Sequence, residues 1–336
     1  MKPDASLHGG AVPLAAGAVA GAVAGAVAGA VAGAAAPAPA LTAAQAAARR
    51  RRGIALFFCA LLAFASYDAF CKWMLRTHAA TLMNLTRYLA VSAIALAWLL
   101  RSGMPPLRAI PCKGLLLARG TALAIVATCF MAALLWMPLA EATAIYFTAP
   151  LIMVALSPWL LGERVRPAQW VAVLAGFVGM LLIVRPGSDL PALGTLLMAV
   201  SAVCYAVFQL LTRRLAAQVE APVLYASTAL ACLVLTGVPA LALLPEPLPP
   251  WPELALMFAG GLCSGAAQLL LLAAFRRVAA ATLAPLNYFQ LLLAVLLSSF
   301  VFQRPPDAIA LAGIALIMLS GGFLAWRSTL APRRED

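Results

Sequence analysis

The chain has 336 residues, of which 65% are hydrophobic and only 10% charged, with a formal net charge of +12. Soluble domains carry about 25% charged residues, so this composition excludes an ordinary soluble fold and points to the bilayer as solvent. The cations lie scattered over short gaps rather than on one face, which argues against a nucleic-acid binder.

Residues 1–52 form a segment of their own. From Gly17 to Gly33 the chain repeats Gly-Ala-Val-Ala, and it closes with the basic flank Arg49 to Arg52. Alanine and glycine offer little burial energy, so the segment reads as a disordered low-complexity extension. A membrane helix with glycine at every fourth place and a cleaved leader are the alternatives.

Ten apolar stretches follow, at about 53–75, 80–100, 119–138, 141–161, 168–185, 191–212, 222–244, 253–275, 279–302 and 307–326. Each is close to the roughly 20 residues that cross the hydrocarbon core as a helix. Of the 23 lysines and arginines, only Lys72, Arg76, Arg185 and Arg304 fall in one set of alternate gaps, and Arg87 lies within the second stretch. All the others sit on the side that holds both ends of the chain. The positive-inside rule therefore places both termini in the cytoplasm of a multi-pass inner-membrane protein, with 327–336 as a charged cytoplasmic tail.

In the first stretch Asp68 and Lys72 are four residues apart and share a helical face. Arg87, in the second, costs about 2.5–3.5 kcal/mol near the bilayer centre, so it needs a partner or a wet cavity. Asp68 is the acid available to Arg87 or Lys72. This trio is read either as a salt bridge fixing the first two helices or as a charge and coupling group for the substrate. Glu141 opens the fourth stretch, where the helix dipole favours an acid; the alternative is a gating or coupling carboxylate. Tyr146 and Thr148 follow, and Pro150 frees a backbone carbonyl and kinks the span, a break tolerated where it lines a cavity.

Tyr205 and Gln209 share a face of the sixth stretch, as Ser264 and Gln268 do in the eighth. In the ninth, Pro285 is a second helix break, followed by Asn287, Tyr288 and Gln290. Amide and phenol groups of this kind orient a polar ligand while aromatic faces cover its apolar part. Interhelical hydrogen bonding is the plainer role for each.

Adding 141 to each number lays the first five stretches on the last five without gaps, giving halves of about 53–187 and 188–326. Five is odd, so the second half enters the bilayer from the opposite side and the halves form inverted repeats. The segment LAEATAIYFTAPLIMVALSPWLLGERVRPAQWVAVLAGFVGMLLIVRPG (139–187) resembles the end of an EamA-type repeat. The segment AFRRVAAATLAPLNYFQLLLAVLLSSFVFQRPPDAIALAGIALIMLSGG (274–322) resembles the matching end of the second repeat. The resemblance covers about 53–326 and points to the drug/metabolite transporter superfamily. In the second half Leu291 stands where the first has Pro150, and Arg304 where it has Glu163.

What the resemblance implies is an all-α protein of ten transmembrane helices around a central cavity, lined mainly by helices 1, 3, 4, 6, 8 and 9. Tyr146, Thr148, Tyr205, Gln209, Gln268, Asn287, Tyr288 and Gln290 then become substrate-binding candidates, with Asp68, Lys72, Arg87 and Glu141 tuning charge or coupling. The repeat ends look closer to members associated with S-adenosylmethionine or riboflavin uptake than to amino-acid exporters.

The chain carries no nucleotide-binding Gly-rich loop, no HExxH and no paired-cysteine spacing, so neither a cofactor nor a metal is expected. Its seven cysteines lie almost all inside apolar stretches. The expected function is a secondary carrier that moves a small organic metabolite by alternating access, with the proton as candidate coupling ion and a homodimer as candidate assembly. An exporter of amino acids or drug-like metabolites is the alternative within the class. A channel, a scramblase or an integral membrane enzyme are alternatives outside it.

Overall fold

The computed structural model describes residues 43–103, 110–161, 165–185, 190–215, 218–245, 247–278, 283 and 285–330. The Gly-Ala-Val-Ala repeat, the Glu163 turn and the last six residues lie outside the described residues. Among those described, all regular structure is helical: α1 (Ala43–Met74), α2 (Ala80–Ser102), α3 (Lys113–Trp136), α4 (Leu139–Tyr146), α5 (Ala149–Leu161), α6 (Pro167–Val184), α7 (Ala192–Leu215), α8 (Ala221–Cys232), α9 (Val238–Leu241), α10 (Trp251–Phe275), α11 (Phe289–Phe300) and α12 (Ala308–Leu330). A π turn, Leu233–Gly237, joins α8 to α9, and a 3-10 turn, Pro285–Tyr288, leads into α11.

Eight of these stretches are long and apolar enough to cross a bilayer; α4 and the first turns of α5 count as one of them, and α8, the π turn and α9 as another. Two shorter apolar helices, Leu286–Phe300 and Ala308–Leu324, occupy the ninth and tenth places.

Helix ends depart from the sequence expectation in ways that local chemistry explains. α1 starts at Ala43, ten residues early, because the alanines and arginines of 43–52 are strong helix formers and simply extend the apolar span. The fourth stretch is two helices rather than one. Pro150 has no N–H to offer the carbonyl of Tyr146, and its ring crowds that carbonyl, so the helix stops at Tyr146 and restarts at Ala149. The Thr148 hydroxyl closes the gap by donating to the Ile145 carbonyl at 2.6 Å. In the seventh stretch Pro239 has the same effect, and the π turn just before it absorbs the displaced carbonyl.

The packing has a regular pattern. α1 lies on α10 as α3 lies on α7; α2 lies on α10 as α8 lies on α3; α5 lies on α7 as α11 lies on α1. Each such pair becomes the other when the first five stretches are exchanged with the last five. The pairs α2 with α8, α4 with α11 and α6 with α12 map onto themselves. At the α6–α12 crossing Gly179 and Gly313 put backbone on backbone. A methyl added to Gly179 would sit 2.7 Å from the Gly313 carbonyl, and one on Gly313 would sit 2.5 Å from the Gly179 carbonyl.

The two ends of the bundle are distinct. At one end Arg49 of α1 donates to the Arg276 carbonyl, Gly53 packs on Val278, and the Cys112 thiol donates to Gln218. At the other end His78 meets Glu253, Arg185 meets Asp307, and the start of α7 at Gly194 packs on Met137. Every one of these contacts joins gaps that the arginine pattern assigns to a single side.

Candidate functional site

Where the fourth and ninth stretches break, their aromatic residues meet. Phe147, in the α4–α5 break, faces Tyr288, the last residue of the 3-10 turn, with ring centroids 5.7 Å apart. Residue 147 shifted by 141 is residue 288, so the two residues that the repeat offset equates are in contact. From there an aromatic train continues: Tyr146 lies 4.8 Å from Tyr205 and 5.4 Å from Phe130, and Tyr205 stacks on Phe208 at 5.9 Å. Offset and edge-to-face geometries like these are favoured by the ring quadrupoles. The Tyr288 hydroxyl is buried without a hydrogen-bond partner, a polar group aimed into an apolar wall.

Beside the rings lies the charged group of α1 and α2. Gln290 donates to an Asp68 carboxylate oxygen at 3.3 Å, joining α1 to α11. The expected salt bridge does not form: among the described residues the ion pairs are His78–Glu253 and Arg185–Asp307 alone. Arg87 instead places its guanidinium over the Tyr67 ring at 4.9 Å and the Tyr88 ring at 5.4 Å, with its Nε buried and unpartnered. Aromatic faces carry the partial negative charge that a desolvated cation needs, so two tyrosines replace the acid. Lys72 turns away from Asp68 altogether. It donates to the carbonyls of Leu134 at 2.5 Å and Met137 at 2.8 Å, satisfying the C-terminal end of α3. A cation there also complements the helix dipole.

The remaining candidates divide. Thr148 is fully buried with its hydroxyl committed to the helix break. Asn287 and Gln209 are half-buried, whereas Gln268 is exposed above a buried Ser264. Pro150 lies in the first turn of α5, just past the first break, and Pro285 opens the 3-10 turn of the second.

Glu141 occupies the first turn of α4 as expected and is only 8% exposed, and its Oε2 has no hydrogen-bond partner. With Lys72 it lines a cavity of about 520 Å³ at the end of the bundle opposite Arg49. Arg76, Arg185, Arg304 and Asp307 complete its charged wall. Here Arg185 donates to Asp307 at 2.5 Å, and this guanidinium holds the Asp307 carboxyl below the usual carboxylate range.

Sequence reasoning passed over Phe147, Phe130 and Phe208, which carry no polar atom; the 141 offset that maps Phe147 onto Tyr288 was the available signal. It also passed over Arg119, read as a loop cation. Arg119 is buried in α3, donates to Thr212, Thr228 and the Leu224 carbonyl, and lies 4.4 Å over the Phe208 ring.

Comparison with known proteins adds to this geometry. The sequence profile of the EamA-like transporter family matches residues 51–185 and again 192–326. A riboflavin transporter of Rhizobium johnstonii is 32% identical over 196 residues, which are 58% of this chain and 64% of that protein. A riboflavin transporter of Vibrio cholerae is 30% identical over 204 residues, 59% of this chain and 66% of its own. An S-adenosylmethionine uptake transporter of Rickettsia conorii is 25% identical over 200 residues, 59% of this chain and 67% of its own. The chain thus spans about two thirds of the length of the curated relatives it matches. One solved protein structure superposes with a TM-score of 0.60 at 23% identity, covering 82% of this chain and 98% of that one. At that identity the likeness speaks to the fold.

Proposed function

Because the chain belongs to the EamA-like transporter family, as a multi-pass membrane protein with two EamA repeats, we propose that it is a secondary carrier that takes up a small organic metabolite. It acts by alternating access, and its ligand carries a flat conjugated ring of the kind found in riboflavin or in the adenine of S-adenosylmethionine. The observation that carries this reading is the meeting of the two broken spans at Phe147 and Tyr288, in the middle of an aromatic train.

In this reading 53–187 and 188–326 are inverted five-helix repeats, and the shorter helices α11 and α12 complete ten spans. The exchange pattern of the helix pairs supports a two-fold axis in the membrane plane, as does the start of α1 at one end of the bundle and of α7 at the other. Tyr146, Tyr205 and Tyr288 would cover the ring faces of the ligand, and Asn287, Gln290, Gln209 and Gln268 would orient its polar edge. Asp68 would serve as the coupling acid beside Arg87, and both termini would lie in the cytoplasm of an inner membrane.

Proteoliposome counterflow of radiolabelled riboflavin and S-adenosylmethionine, with and without a pH gradient, tests the proposal. Saturable exchange that is reduced at least tenfold by Tyr288→Ala is expected. An unsaturable leak would favour a channel, and exchange confined to amino acids would favour an exporter.

A further inference from the structure

The arginine pattern leaves only four cations on the outer side, and all four line one cavity: Lys72, Arg76, Arg185 and Arg304. They come from three separate parts of the chain: the last turn of α1 with the residues just after it, the gap after α6 and the gap after α11. Cations on that side run against the charge rule for insertion, so their convergence calls for a return. Two have structural partners, Lys72 in the α3 carbonyls and Arg185 in Asp307. Arg76 rests over the Phe302 ring at 5.5 Å and forms no ion pair among the described residues, nor does exposed Arg304. Against this positive excess stands Glu141, which lines the cavity, is more than nine-tenths buried and has an Oε2 without a hydrogen-bond partner.

The cavity, at about 520 Å³, falls within the roughly 300–1,000 Å³ of small-molecule pockets. Asp68 lies one turn below Lys72 on the same face of α1, about 6 Å along the axis, and Tyr146 lies five residues below Glu141 on α4. Low-dielectric walls around a net positive excess focus the field and raise the local concentration of anions.

We propose that this vestibule is an anion-docking station. It draws in a solute that carries a carboxylate or phosphate, which pairs with Arg76 and Arg304, and an N–H or O–H donor, which Glu141 accepts. The site thereby favours solutes that carry an acidic group, whatever their net charge, over those with cationic groups alone before they reach the aromatic rings. Its position at the outer face rests on the orientation given under Proposed function; its charge selection does not.

Leu190 lines the same cavity, half-buried and outside the binding groups, and provides a reporter. The full chain carrying Leu190→Cys, in right-side-out vesicles, is labelled with methanethiosulfonates of similar size and opposite charge, and peptide mass spectrometry follows that thiol with the native cysteines as internal controls. Relative to a free thiol, the anionic reagent should react about tenfold faster than the cationic one. The preference should collapse in 1 M salt and in the Arg76→Gln/Arg304→Gln double variant, and millimolar inorganic phosphate should slow labelling in the unsubstituted background but not in the double variant. Should the double variant misfold, the salt series and phosphate protection in Leu190→Cys alone decide. Equal rates for the two reagents, or no protection by phosphate, would overturn the docking station and leave the carrier reading standing. Labelling only from the opposite face would overturn the orientation instead, and with it the role of the cavity as an entrance.

Discussion

Lys72 and Asp68 sit four residues apart on one helix, yet they do different work. Lys72 reaches carbonyls 62 and 65 residues away, and each buried acceptor left without a donor costs about 1–3 kcal/mol. Lys72→Met keeps the stem and removes the donors, so the purified protein should melt several degrees lower, with Lys72→Arg restoring most of the loss. Among the described residues Asp68 takes part in no ion pair, and an asparagine in its place still accepts from Gln290. Asp68→Asn should therefore shift the melting free energy by less than about 1 kcal/mol. Counterflow should persist while uptake driven by a pH gradient fails; unchanged gradient-driven uptake would remove Asp68 from the coupling role. The pair Arg185–Asp307 bears on the same measurement. A carboxyl held below its ordinary value of about 3.9 contributes stability above that value and loses it only as the pH falls through the lowered one. Between pH 5 and 8 this pair stays closed, so any pH dependence of uptake in that window has to come from other groups.

The element that most concerns transport is the interrupted fourth span. Pro150→Ala returns an N–H to the Tyr146 carbonyl and lets α4 run into α5, so the melting temperature should hold or rise, as expected when a helix-breaking proline is removed. Uptake should fall at least tenfold, because straightening the span moves Phe147 away from Tyr288; full activity in Pro150→Ala would show the break to be incidental. The α6–α12 crossing makes the opposite case. Gly313→Val drives side-chain carbon into the Gly179 carbonyl, and the yield of monodisperse protein should drop sharply, whereas Gly322→Val, at a glycine with open space around it, should express normally. The apolar spans and the two repeats were legible in the chain because they rest on the apolar character of single residues and its recurrence. The kink in the fourth span was legible through Pro150. The partners of Lys72 and Arg87 were not, since backbone carbonyls and ring faces carry no distinguishing letter. The pairing of Asp68 with Gln290 depends on which turns of α1 and α11 face each other, and no single stretch encodes that. The early start of α1 was hidden because a basic flank and a helix of alanine and arginine are written with the same residues.

At the scale of the whole molecule, the contacts between the halves are unevenly placed. The end that holds Arg49 is sealed by hydrogen bonds from the first half to the second: Arg49 to Arg276, Cys112 to Gln218, and Arg119 to Thr212, Thr228 and Leu224. The opposite end encloses the 520 Å³ cavity. In a carrier built of inverted repeats, exchange of the two repeat conformations should move the cavity to the other end. The Phe147–Tyr288 contact, between residues the exchange interconverts, should survive it. The sealed end must then part once in each cycle. Cys112 has its thiol 2.9 Å from the Gln218 amide oxygen, so Gln218→Cys places a second thiol across that seam within the span of a short bis-methanethiosulfonate. Treating this variant with that crosslinker should bridge the two cysteines through reducible disulfides within the monomer and hold the sealed end shut. Uptake should then stop and return on reduction. A bridge that forms quantitatively without slowing uptake would mean that the seam never opens, and the alternating-access reading would fall with it.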